Sequence, residues 1–176
     1  MKKTVGLLAV ATVCVTVGLA AAEDNPRPLV TLTGTDSHVT ACSYHRVASE
    51  DEWIKIWQWH KGEKESKDYD LFYNPLGLPS IDFEKCMVIT VFQGSGVNSA
   101  GLKVVALLEE RDRIVLRFED KRYQTMVYGP RDEGDKVTVY GFFVLPRSSK
   151  KVVLEENVQN YIGQPPVWKE RASLPK

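Results

Sequence analysis

Apolar positions along this chain fall into three patterns: one unbroken run near the N-terminus, one helical stripe, and a series of short strand-like segments between polar turns. His38 to Val47 alternates loosely and predicts a first strand. Ser49-Glu50-Asp51-Glu52 then has the form of a capping box, and Trp53, Ile56, Trp57 and His60 follow at helical spacing until Lys61-Gly62. This predicts a helix that buries that stripe. Cys86 to Gln93 is almost continuously apolar and rich in β-branched residues, the pattern of a central strand covered on both faces. Gly94 to Gly101 predicts a glycine turn, and Leu102 to Leu108 another strand. In the next segment Ile114, Leu116 and Phe118 point one way while Arg113, Arg117 and Glu119 point the other, as in a sheet with one wet face. Val137 to Leu145 resumes β character, with Gly141 read as a bulge, and Val152 to Leu154 predicts a short closing strand.

These elements predict an α+β fold, mainly antiparallel β, with a sandwich-like sheet and one N-terminal capped helix, over residues 38–155. Residues 23–37 form an extended lead-in. Residues 156–176, with Pro165-Pro166-Val167-Trp168, are expected as a C-terminal extended tail on the surface. Two long polar connections remain, at 61–80 and 120–135. A loop as long as the first is uncommon in a compact domain unless it is functional or mobile.

The N-terminal run changes where this fold is expected to work. Lys2 and Lys3 precede an uncharged stretch from Val5 to Leu19, and Ala20-Ala21-Ala22 supplies the small side chains a signal peptidase requires. The run is shorter than the roughly 20 residues that span a bilayer, so it reads as a signal peptide over 1–22 and not as an anchor. The expected product is exported, periplasmic or extracellular, with no transmembrane anchor after signal removal.

The whole chain has 176 residues with 23 basic and 23 acidic side chains. Two basic residues leave with the signal, so the mature chain carries a net −2 and no basic block. That balance argues against nucleic acid, which rewards clustered Lys and Arg. Cys42 and Cys86 remain as an even pair, and an oxidising compartment makes a Cys42–Cys86 disulfide one reading, with two buried free thiols as the other.

Chemistry is harder to find. His38, Cys42 and His45 fall within eight residues, but on a strand His45 would point away from the other two, and no second Cys/His pair completes a tetrahedron. No metal and no cofactor are expected. Gly94-Ser95-Gly96 is neither a nucleophile elbow nor a phosphate loop. His60, on the apolar stripe of the helix, reads as a packed and hydrogen-bonded ring. Sugar stacking by Trp59, Tyr69, Phe72 and Tyr73 is conceivable, with ordinary packing the favoured reading.

Three strings carry a family likeness. Glu52-Trp53-x-x-x-Trp57 is followed by Asp82-Phe83-Glu84-Lys85-x-Met87-Val88-Ile89-x-Val91-Phe92-x-Gly94, and then by Tyr140-Gly141-Phe142-Phe143-Val144-Leu145-Pro146-Arg147. In that order they resemble the PrcB-like family, exported bacterial domains named after a subunit of a surface protease complex. The likeness covers roughly residues 44–154. In that family a Thr-Gly-Gly-Tyr-like turn follows the central strand; here Gly94 and Gly101 bracket that place around Val97-Asn98-Ser99-Ala100. The resemblance implies a non-catalytic domain that associates with other exported proteins, and it transfers no catalytic residues. A similar glycine turn occurs in small cysteine-protease inhibitors of immunoglobulin-like shape.

The expected function is therefore binding of an exported protein partner, such as a secreted or surface protease, by a domain that is not an enzyme. Loops on a rigid sheet are where binding residues concentrate, which singles out Gln93, Asn98 and Ser99 in the glycine turn and Tyr123, Gln124 and Thr125 in the second long loop. Plain turn chemistry is the alternative for all six. The competing functions are an envelope hydrolase acting on sugars or peptides, and a small protease inhibitor. A pocket joining His38 or His60 to an acidic side chain would mark the hydrolase.

Overall fold

The computed structural model describes residues 27–66, 68–125, 129, 133–159, 161 and 163–176. The export signal expected over 1–22 lies outside the described residues. The elements in chain order are β1 (Val30–Gly34), β2 (Ser43–Val47), α1 (Glu50–His60), β3 (Cys86–Val97), β4 (Ser99–Glu109), β5 (Arg113–Arg122), β6 (Lys136–Pro146), β7 (Lys151–Asn157) and β8 (Trp168–Leu174). They build two four-stranded sheets, ordered β1-β6-β3-β2 and β4-β5-β7-β8. All pairs are antiparallel except β5 with β7. The fold is α+β and dominated by strands, as the periodicity implied.

The near-continuous apolar character of β3 and β6 comes from cover on both faces. Met87, Ile89 and Val91 of β3, with Phe143 and Leu145 of β6, face the second sheet. Val88 and Phe92, with Phe142 and Val144, face α1. The helix lays Trp53 and Trp57 on that second face, with the Trp53 ring edge-on to Phe142 at 5.2 Å. Ser49 caps the helix by accepting from the Glu52 amide at 3.4 Å, while the Glu52 carboxylate reaches back to the Ala48 N–H at 2.9 Å.

In β4 the inward positions change parity: Leu102 and Val104 face the core, and so does Leu107. A register shift between Val104 and Ala106 inserts one extra residue, and a one-residue slip turns every later side chain to the other face. On β5, Ile114, Leu116 and Phe118 line the core between the sheets, as their alternation predicted.

Several expectations are corrected. Residues 38–42 precede the strand, which starts at Ser43. The lead-in contributes β1, paired to β6. The bulge belongs to β3, between Phe92 and Gly94, whereas Gly141 pairs in regular register with Val91. At Gly141 a Cβ would stand 2.6 Å from the Phe143 ring, so close approach of that ring explains the glycine. The segment 94–97 is strand, and the turn shrinks to Asn98 in a left-handed conformation (φ 55°). The strand at 151–157 is interior and parallel to β5, and the tail supplies β8 as the edge strand beyond it.

The Cys42–Cys86 disulfide is corrected as well. Both cysteines are free thiols. Cys42 precedes Ser43, which faces Phe92, and Cys86 lies six residues farther along β3. At about 3.3 Å per residue that is on the order of 20 Å, far outside the ~4.4–6.8 Å between Cα atoms that a disulfide bridges. The Cys42 thiol instead donates to the Tyr44 hydroxyl at 3.3 Å.

Candidate binding surfaces

The six residues singled out from the sequence separate into two groups. Asn98 sits at the corner where the chain passes from the first sheet to the second. Its amide Nδ2 donates to Thr125 Oγ1 at 3.3 Å, its Oδ1 accepts from the Asp135 N–H at 2.8 Å, and its carbonyl accepts from the Tyr123 N–H at 2.9 Å. The Tyr123 hydroxyl donates to Asp135 at 3.0 Å, and this bond raises its pKa. Asn98, Tyr123 and Thr125 thus meet in one corner and spend their polar groups holding it. Gln124, beside them, is exposed.

Gln93 and Ser99 stand elsewhere. Gln93 is the extra residue of the β3 bulge, and its amide donates to Glu156 at 3.1 Å. Ser99 is only 3% exposed and donates to Asp120 while accepting from the Gly101 N–H at 3.0 Å. Both therefore act one bond behind a carboxylate. Those carboxylates line a cleft of about 370 Å³ at the C-terminal ends of β5 and β7. Asp120 pairs with Arg122 Nε at 3.0 Å, and Glu156 pairs with Arg171 Nε at 2.5 Å. Asn157 and Gln159 complete the wall, and Tyr161 lies at the rim.

Two of the three histidines, His60 and His45, are placed for packing, while His38 is exposed. His60 is 1% exposed, its Nδ1 lies 3.0 Å from Ser37 Oγ, and its ring stands 4.3 Å from that of Tyr140. Burial above all pushes its pKa down to about 4, with Lys61 and His38 adding and Asp36 opposing. His45 packs against Trp59 and Phe92, and burial lowers its pKa too. Among the described residues no three His, Cys, Asp or Glu side chains gather to hold a metal ion.

The surface that the sequence suggested only for sugar stacking, behind ordinary packing, is in the first long loop. Phe72 and Tyr73 are 89% and 79% exposed, and Leu71 beside them is also open. Ordinary packing, the favoured reading for these two rings, does not describe them. The loop that carries them is tied down from below. Trp57 Nε1 donates to the Leu76 carbonyl and Trp53 Nε1 to the Pro79 carbonyl, each at 2.9 Å. Asn74, at positive φ (43°), accepts from the Tyr69 hydroxyl and the Leu78 amide. Asp70 Oδ1 accepts from the Phe72 and Tyr73 amides at 2.9 and 3.1 Å. The two exposed rings meet edge-on at 5.2 Å. A sequence signal did exist: a Leu-Phe-Tyr run between Asp70 and Asn74-Pro75 places apolar rings at a turn, where no core can reach them.

No protein-family model, no curated protein and no solved structure matches this chain.

Proposed function

We propose that the chain is an exported, non-enzymatic protein-binding domain whose anchor is the Leu71-Phe72-Tyr73 tip. The observation that carries this reading is the exposure of two aromatic rings on a loop whose backbone is already fixed by hydrogen bonds. Aromatic anchors dominate binding energy when they enter a partner's pocket, and a pre-ordered loop has little entropy left to lose on docking. The tip is convex, so the partner must offer an apolar depression; the substrate-binding cleft of a secreted protease is one such shape. The likeness to PrcB-like domains agrees with a supporting role of this kind.

The burial of His60 also favours binding over hydrolysis. His60 is closed in by rings, and the cleft that holds Asp120 and Glu156 is lined by no histidine. A photo-crosslinking amino acid at position 72, in cells exporting the protein, should yield one discrete protein adduct that the same group at Val105 does not. Phe72→Ala should then weaken the adduct partner's binding by about 2 kcal/mol or more. Absence of any adduct from position 72 would overturn the proposal. Sedimentation with phospholipid vesicles, lost in Phe72→Ala, would transfer the tip to a membrane surface.

A further inference from the structure

We propose that the cleft at the ends of β5 and β7 is a second, independent site, which binds a neutral sugar chain. Its charges balance: the guanidiniums of Arg122 and Arg171 face the carboxylates of Asp120 and Glu156. An anionic ligand would meet two carboxylates here, and a cationic one two guanidiniums, so neither gains from the net field. A ligand whose groups both donate and accept meets no such repulsion, and sugar hydroxyls are of that kind.

The polar groups are also prepared in advance. Glu156 is 5% exposed, and its two oxygens accept from Gln93 and Arg171. The oxygens of Asp120 accept from Ser99 and Arg122. Both arginines are gripped through Nε, and among the described residues no other side chain or carbonyl engages their terminal amino groups. Those forks can donate to hydroxyl oxygens, while each carboxylate keeps a second lone pair on each oxygen for a hydroxyl proton. Tyr161, 77% exposed at the rim, offers a flat ring to the apolar face of a sugar. The volume lies within the roughly 300–1,000 Å³ range of small-molecule sites.

The test is titration of the mature protein with a hexamer of N-acetylglucosamine and, separately, a hexamer of glucose, with inorganic phosphate as the anionic arm. Calorimetry gives affinity, and NMR follows the side-chain amides of Asn157 and Gln159. At least one hexamer should bind and shift those amides, and phosphate should shift neither. Arg122→Gln and Tyr161→Ala, both at exposed side chains, should each weaken that binding about tenfold with the melting temperature unchanged. No binding of either hexamer at millimolar concentration would overturn the proposal. So would hexamer binding indifferent to both substitutions, or displacement of the bound hexamer by phosphate. None of these results bears on crosslinking at Phe72.

Discussion

The two faces of the first sheet are covered by cores of different chemistry. Between the sheets the core is aliphatic, built from Met87, Ile89, Leu102, Leu107, Leu116, Leu145 and Leu154 with two phenylalanines; Tyr44 packs against it, and Arg46, opposite Ile89, brings one buried unpartnered atom, Nε, to that side. Under α1 the core is aromatic, with Trp53, Trp57, Phe92 and Phe142, and polar groups are mixed into it. Ser43 Oγ, His45 Nε2, His60 Nε2 and Thr90 Oγ1 are buried on that side without a hydrogen-bond partner in the protein. A buried polar atom left unpaired costs roughly 1–3 kcal/mol. The aliphatic core therefore supplies stability, while the aromatic one trades some of it for titratable groups and for the indole N–H groups that hold the 61–80 loop.

That contrast can be broken at four levels. Cutting a ring from either core should have the largest effect. Phe143→Ala, between the sheets, and Phe142→Ala, under the helix, should each cost about 3–5 kcal/mol in denaturant titration, with Phe143 at the upper end. The reverse order would erase the distinction.

Acid should separate the cores next. The folded protein holds the His60 pKa down at about 4, below the ordinary value of 6.5, so the unfolded chain binds the proton more readily. Stability from this group is full above about pH 6.5 and is lost as pH falls toward 4, a change of about 2–3 kcal/mol. His45, shifted the same way, adds to it. Melting temperature followed from pH 7 to 4 should fall, and His60→Phe should flatten that slope relative to the native chain. An unchanged slope would show that the aromatic core is not the acid-sensitive one.

Ser49→Ala removes the helix cap and should cost about 1 kcal/mol by the same melting assay. The smallest effect belongs to the tip: Phe72→Ala with Tyr73→Ala should change stability by less than about 0.5 kcal/mol, because these rings touch no core. A larger loss would make them packing residues after all.

Much of the fold was legible because its signals are local. The Ser49 cap and the Trp53–Trp57–His60 stripe need only the helical period, and β5 needs only alternation. Where signals depend on distant partners, the reading failed. Val30–Gly34 and Trp168–Leu174 are weakly apolar edge strands that become strands only because β6 and β7 offer them unpaired backbone. Gln93 and Ser99 were legible as polar residues near a glycine-rich bend. Nothing local showed that they would stand behind carboxylates 63 and 21 residues farther along the chain.

The sequence by itself determined the helix, its cap, the central apolar strands and the mainly antiparallel character, since period and propensity act within a few residues. Tertiary structure alone decided the parallel pairing of β5 with β7, the free state of Cys42 and Cys86, the outward turn of Phe72 and Tyr73, and the cleft where Asp120 meets Glu156. Each of these depends on register or on burial by residues far away in the chain. A shift of one residue in a strand reverses which side chains are hidden, and no local pattern records it.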